Sequence, residues 1–117
     1  MTERVAGSAT LNPEIRRLEE CRARLEMAGE LPDLGITEPL MESGNYKDRM
    51  IAEYWQLKIR YEKLKKFNNK IEAASMEKGL KGPEHTCPDY LLREQQRIMG
   101  EYLHVLEIRA EMEGIIL

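Results

Sequence analysis

Residues 50–71 read MIAEYWQLKIRYEKLKKFNNKI, and their spacing decides the fold. Met50, Tyr54, Leu57, Tyr61, Leu64, Asn68 and Ile71 follow alternating steps of four and three. That is the heptad period of a helix lying along a partner helix. Asn45, with Asp48 three residues on, opens the helix with a capping pattern, and Gly79 with the stretch GPEHT (82–86) closes it in a turn. About 30 residues at 1.5 Å each span roughly 45 Å. Asn68 either fixes register or oligomeric state in this seam, or sits at a frayed edge.

The partner lies just downstream. Thr86 or Cys87 is expected to cap it, with Pro88 in the first turn and Asp89 near the positive end of the dipole. Its seam is Leu92, Gln96, Met99, Leu103, Leu106 and Ala110. Beside it Leu91, Ile98, Val105 and Met112 recur every seven residues. Two stripes make a face too wide for one partner, so a second helix, from this chain or another copy, is expected against it. Gly100 costs this helix about 1 kcal/mol relative to Ala, which a close helix crossing would explain. The apolar end Gly114-Ile115-Ile116-Leu117 is expected to be docked.

Upstream, residues 1–10 are small and polar and read as a frayed start. Asn12-Pro13-Glu14 starts a shorter helix that carries Ile15, Leu18, Arg22 and Leu25, with Gly29 as its stop. Its apolar stripe is thin, so it leans on something else. Residues 30–45 carry two Pro and two Gly, and read as an irregular connection packed through Leu34, Ile36, Leu40 and Met41. The expected fold is all-α. A long antiparallel helical hairpin covers residues 45–117, and residues 1–44 hold the short helix and its packed connection. A lone hairpin has little core, so a homo-oligomer is expected.

Composition agrees with this class and excludes others. Among the 117 residues no apolar run approaches the length of a membrane span. Few Val, Thr or Phe argue against an all-β fold. The net charge of −3 hides a pattern: residues 46–81 hold ten Lys/Arg against five Asp/Glu, between acidic flanks. This is either a basic helix paired with an acidic one or a local anion site. Long nucleic acid is not expected, because the positive zone is short. Cys21 and Cys87 form no Cys-x-x-Cys, and His85 and His104 are not at zinc spacing. No secretory, transit or lipidation pattern is read, so the expected location is the host cell cytoplasm with reduced thiols.

Nothing in the chain reads as a catalytic constellation, so an enzyme is not expected, nor a cofactor. His104, Glu107 and Glu111 lie about a helical turn apart, a spacing that also describes a solvated face, and no metal is assigned. Binding is better supported. All seven aromatics lie between positions 46 and 102, interleaved in the basic segment with Lys58, Arg60, Lys63, Lys66 and Lys70. Aromatic faces stack on bases, and Arg and Lys donate to phosphate. The same pattern also describes a heptad core flanked by snorkelling lysines. In the ligand reading, Arg60, Lys63 and Arg97 meet phosphates, Trp55 or Tyr102 stacks on a base, and Gln95 or Gln96 reads its edge. Trp55 is otherwise an anchor for a second interface.

Residues 87–115 read CPDYLLREQQRIMGEYLHVLEIRAEMEGI. Together with Arg49-Met50 and Tyr61-Glu62-Lys63-Leu64, this stretch resembles a family of small phage and prophage proteins named from a crAss-like phage. The resemblance covers residues 46–117 and implies a phage-derived helical hairpin. More distantly, the chain resembles viral sponge proteins that capture cyclic nucleotide signals of bacterial immunity. That likeness implies a non-catalytic counter-defence protein, oligomeric, holding a small phosphorylated signal at subunit junctions. A second expectation, of a different class, is a structural or adaptor protein that grips another protein through the stripe Leu91, Ile98, Val105 and Met112.

Overall fold

A computed structural model of the chain describes residues 13–27 and 32–117. The expected frayed start, the Asn12 cap and the Gly29 stop lie outside the described residues, as does the side chain of Leu25. Four α-helices follow in order: α1 (Pro13–Met27), α2 (Glu38–Met41), α3 (Tyr46–Met76) and α4 (Asp89–Glu113). A 3-10 turn, Leu34–Thr37, precedes α2. No strand occurs among the described residues. The chain separates into two compact units, with the boundary between Gln56 and Leu57, inside α3.

In the first unit α1 packs on the 3-10 turn and α2. Its inward residue is Cys21, which is buried, whereas Ile15 is exposed. The Cys21 thiol donates to the Ile36 carbonyl at 2.5 Å. Burial pushes the thiol pKa up, against the opposing pull of Arg24 and Arg22. The connection is packed as expected. Leu40 and Thr37 are fully buried, while Met41 points outward. The Thr37 hydroxyl donates to the Leu34 carbonyl at 2.6 Å and accepts from the Gln56 amide at 3.1 Å, which ties the turn to α3.

The start of α3 is a relay rather than a simple capping box. The Asn45 side chain accepts the Lys47 N–H at 2.9 Å. Asp48 does not reach back to the Asn45 N–H. It accepts the Ser43 hydroxyl at 2.7 Å, and the Ser43 oxygen accepts the Asn45 N–H at 3.1 Å. Arg49 donates to the Ser43 carbonyl at 2.8 Å. Buried Ser43 therefore stands between the two residues of the box. In the turns that follow, Met50, Ile51, Ala52 and Tyr54 are all buried. Burial on more than one side is why this stretch is apolar beyond its heptad positions.

In the second unit the rest of α3 and α4 form an antiparallel hairpin. Asn68 faces Leu92 and Gln96, and Tyr61 faces Gly100, so residue numbers fall on one helix as they rise on the other. The seam residues lie inward: Leu103, Leu106 and Ala110 are buried, and Leu57, Leu64, Ile71, Leu92, Gln96 and Met99 are half-buried. A Cβ on Gly100 would lie 3.4 Å from the Tyr61 ring, so the close crossing expected at Gly100 is the seat of that ring. Pro88, not Thr86 or Cys87, occupies the cap position of α4. Its backbone is extended, no side chain caps the helix, and its carbonyl accepts the Leu91 and Leu92 N–H groups at 3.1 and 3.2 Å. At the other end Gly114 is left-handed (φ 69°), and the Ile115 N–H closes on the Ala110 carbonyl at 2.8 Å. The tail docks through Ile115, while Ile116 is exposed.

Asn68 is 7% exposed. Its Nδ2 donates to the Gln96 side-chain oxygen at 2.8 Å and to the Leu92 carbonyl at 3.2 Å, while its Oδ1 is buried without a partner. Removing one member of such a pair strands the other, whereas replacing both with apolar groups does not. Asn68→Ala is therefore expected to cost about 1–3 kcal/mol in urea unfolding. The double variant Asn68→Leu, Gln96→Leu is expected to unfold at or above the wild-type midpoint. A double variant as weak as the single one contradicts this account.

Candidate functional site

The residues singled out for binding do not converge on one surface of a unit. Arg60 and Lys63 stand three apart on α3 and are exposed. Among the described residues neither side chain makes an ion pair or a hydrogen bond. Gln95 and Tyr102 share a face of α4, seven residues apart, and both are exposed. That face also carries Leu91, Ile98, Val105 and Met112, which are 49%, 52%, 53% and 83% exposed. The wide apolar stripe expected for this helix is thus uncovered.

Gln96 and Arg97 are already engaged. Gln96 accepts from Asn68 in the seam. The Arg97 guanidinium bonds Glu94 on one side and Glu101, at 3.0 Å, on the other. The hydrogen bond with Glu94 holds that carboxyl below its usual range and lifts Arg97 above its own. A phosphate at Arg97 would have to compete with both carboxylates. Trp55 belongs to the first unit, half-buried, with its ring edge-on to Tyr54 at 5.7 Å. Within the second unit, then, Arg60 and Lys63 stand on α3, Gln95 and Tyr102 share a face of α4, and Gln96 lies in the seam.

Sequence reasoning placed the turn between α3 and α4 at Gly79 and residues 82–86 but missed the cleft that it borders. Gly79 takes a left-handed backbone (φ 92°), and the Leu80 N–H returns to the Glu77 carbonyl at 3.2 Å. A Cβ on Gly82 would lie 3.1 Å from the Ala74 Cβ, so the loop backbone lies directly on α3. His85 then clamps the loop. Its ring meets Phe67 edge-on at 5.9 Å, Nδ1 bonds the Pro83 carbonyl at 3.0 Å, and Nε2 bonds Asp89 at 2.5 Å. The sequence signal was there, in His85 and Asp89 four apart around Pro88 and in Gly82 before Pro83. This loop and α3 border an open cleft of about 400 Å³ lined by Lys70, Ala73, Leu80, Lys81, Gly82 and Pro83.

Among the described residues, no three His, Cys, Asp or Glu side chains are placed to hold a metal ion. His104, Glu107 and Glu111 are exposed on α4. Both cysteines are free thiols. No helix among the described residues is long and apolar enough to cross a membrane.

A family model described as Sequestin matches residues 44–112, which run from the turn before α3 almost to the end of α4. The chain belongs to the Sequestin family. No curated protein and no solved structure matches it significantly. The Sequestin match begins one residue before the Asn45 cap, so it takes in the whole hairpin and its loop and leaves α1 and α2 outside. The family name is consistent with a protein that sequesters a ligand.

The clamp makes one pH dependence predictable. Only the imidazolium donates from both ring nitrogens. The bond to the Pro83 carbonyl, then that to Asp89, raises the His85 pKa above the ordinary 6.5. A raised folded value means that the contribution to stability is present below about 6.5 and is lost as pH rises through the folded value. Melting temperature is expected to fall over that interval in the wild type. The fall should be smaller in His85→Gln. Identical profiles for the two would show that the clamp does not depend on the proton.

Proposed function

We propose that this Sequestin-family protein is a phage-encoded counter-defence protein that sequesters a small phosphorylated nucleotide signal without catalysis. It works in the host cytoplasm as a homo-oligomer. The observation that carries the reading is the family match over the hairpin, which takes in the basic, aromatic-bearing helix α3. Arg60 and Lys63 stand exposed there and offer donors to an anion. Tyr102 offers an exposed ring, and Gln95 an exposed amide that can read a base edge. Arg60 and Lys63 stand on α3, and Gln95 and Tyr102 share a face of α4, so a junction between copies is where both sets meet one ligand.

A second reading is favoured by one specific observation. Leu91, Ile98, Val105 and Met112 form an exposed apolar line on α4. A helix of another protein could lie along it, which would make this chain an adaptor. Here Tyr102 would be buried in a dry interface.

A thermal-shift panel separates the two. Purified protein, shown to be folded and nucleotide-free, is screened with cyclic mono-, di- and trinucleotides and ADP-ribose derivatives. A ligand at about 100 times its dissociation constant adds about 2.7 kcal/mol, which is several degrees in a domain of this size. One clear hit is expected, weakened by Arg60→Ala. A flat panel overturns the sequestering reading and favours the adaptor. A hit that Arg60→Ala leaves untouched removes Arg60 from the site.

A further inference from the structure

The cleft between α3 and the loop has the attributes of a built site, and it uses residues that the reading above leaves idle. Its volume of about 400 Å³ lies in the range of small-molecule sites. Lys70 comes from the helix and Lys81 from the loop, so two ammonium groups enter from different segments. Neither makes an ion pair or a hydrogen bond among the described residues. No acidic side chain belongs to the lining. Ala73, Leu80 and Pro83 supply apolar surface. The lining suits a ligand with a negative group and a flat apolar body.

The loop side of the cleft is tied down at Gly82 and Pro83. Gly82 rests against Ala74 and Ile71, where a larger residue would push the loop off the helix. His85 holds the Pro83 carbonyl against the start of α4. A wall held in place pays little ordering entropy on binding. Arg60 and Lys63 stand on one helix and are not in this lining.

We propose that this cleft holds the phosphate-bearing part of a nucleotide-type ligand. Lys70 and Lys81 take the phosphate, and Ala73, Leu80 and Pro83 take the face of the attached ring. The proposal rests on the sequestering reading and adds to the donors at Arg60 and Lys63 a further anion contact at the loop end of α3.

The test uses the full-length chain, labelled with ¹⁵N and titrated with ADP as the probe. The amides of Lys70, Ala73, Leu80, Lys81 and Gly82 are expected to shift. The pair Lys70→Glu, Lys81→Glu should weaken ADP by about tenfold or more, and the charge-matched pair Lys65→Glu, Arg93→Glu, outside both candidate sites, by less than about twofold. All four side chains are exposed, so both double variants are expected to keep the wild-type amide spectrum elsewhere. Shifts gathered at Arg60, Lys63 and Tyr102, with the cleft variant binding as wild type, overturn the cleft and leave sequestration standing. No shift at the cleft amides overturns it as well. A flat nucleotide panel is the separate result that overturns sequestration itself.

Discussion

The Asn68 side chain sets the terms for the hairpin. A buried amide in an apolar seam is costly unless it is bonded, and its donors here reach one carbonyl and one side chain of α4. Sliding the helices by one turn would take Asn68 away from Gln96 and put both amides against apolar neighbours. The apolar residues of the two seams are interchangeable enough to tolerate such a slip, and the amide pair is not. Gly100 adds a second check. The Tyr61 ring sits on its backbone, and a slipped register would put that ring against a side chain instead. Register therefore rests on one polar pair and one glycine, while the apolar contacts supply the bulk of the stability.

Fixing the register also fixes the loop. Once Asn68 is opposite Gln96, the residues between α3 and α4 must turn back over the last turns of α3. Gly79 makes the reversal with a left-handed backbone, and Gly82 lets the returning strand lie flat on the helix. His85 spans from the loop to Asp89 at the start of α4. A loop tethered in this way behaves as a wall rather than a tether, and the cleft follows from it.

The heptad steps from Met50 to Ile71 made the hairpin legible, because a seam needs little beyond periodicity. The second stripe of α4 was legible for the same reason, but the helix expected to cover it is not seen among the described residues, where the stripe is exposed. What periodicity could not reveal was where polar side chains are spent. Gln96 and Arg97 look like available donors in the sequence, but one is bonded across the seam and the other lies between Glu94 and Glu101. The competition between neighbours a turn apart is visible only when rotamers are. The cap of α4 was misplaced by one or two residues because Pro88 can stand either at the cap or just inside it, and its extended backbone settles the matter. In the first unit, Cys21 of α1 is buried where its thiol meets the Ile36 carbonyl, a contact across 15 positions that no local pattern encodes.

The two ends of the hairpin's chemistry are separable, and that bears on how a small chain can both assemble and bind. The apolar line of α4 runs along the helix, on residues 91, 98, 105 and 112. The cleft is lined only by late α3 and by loop residues up to Pro83, so it shares no residue with that line. Covering the line with a second copy would add the core that a two-helix unit lacks, and it would use none of the cleft's residues. The proposed sequestering role asks for a site shaped by folding itself, and a glycine pressed on a helix with a histidine across the loop provides such a wall.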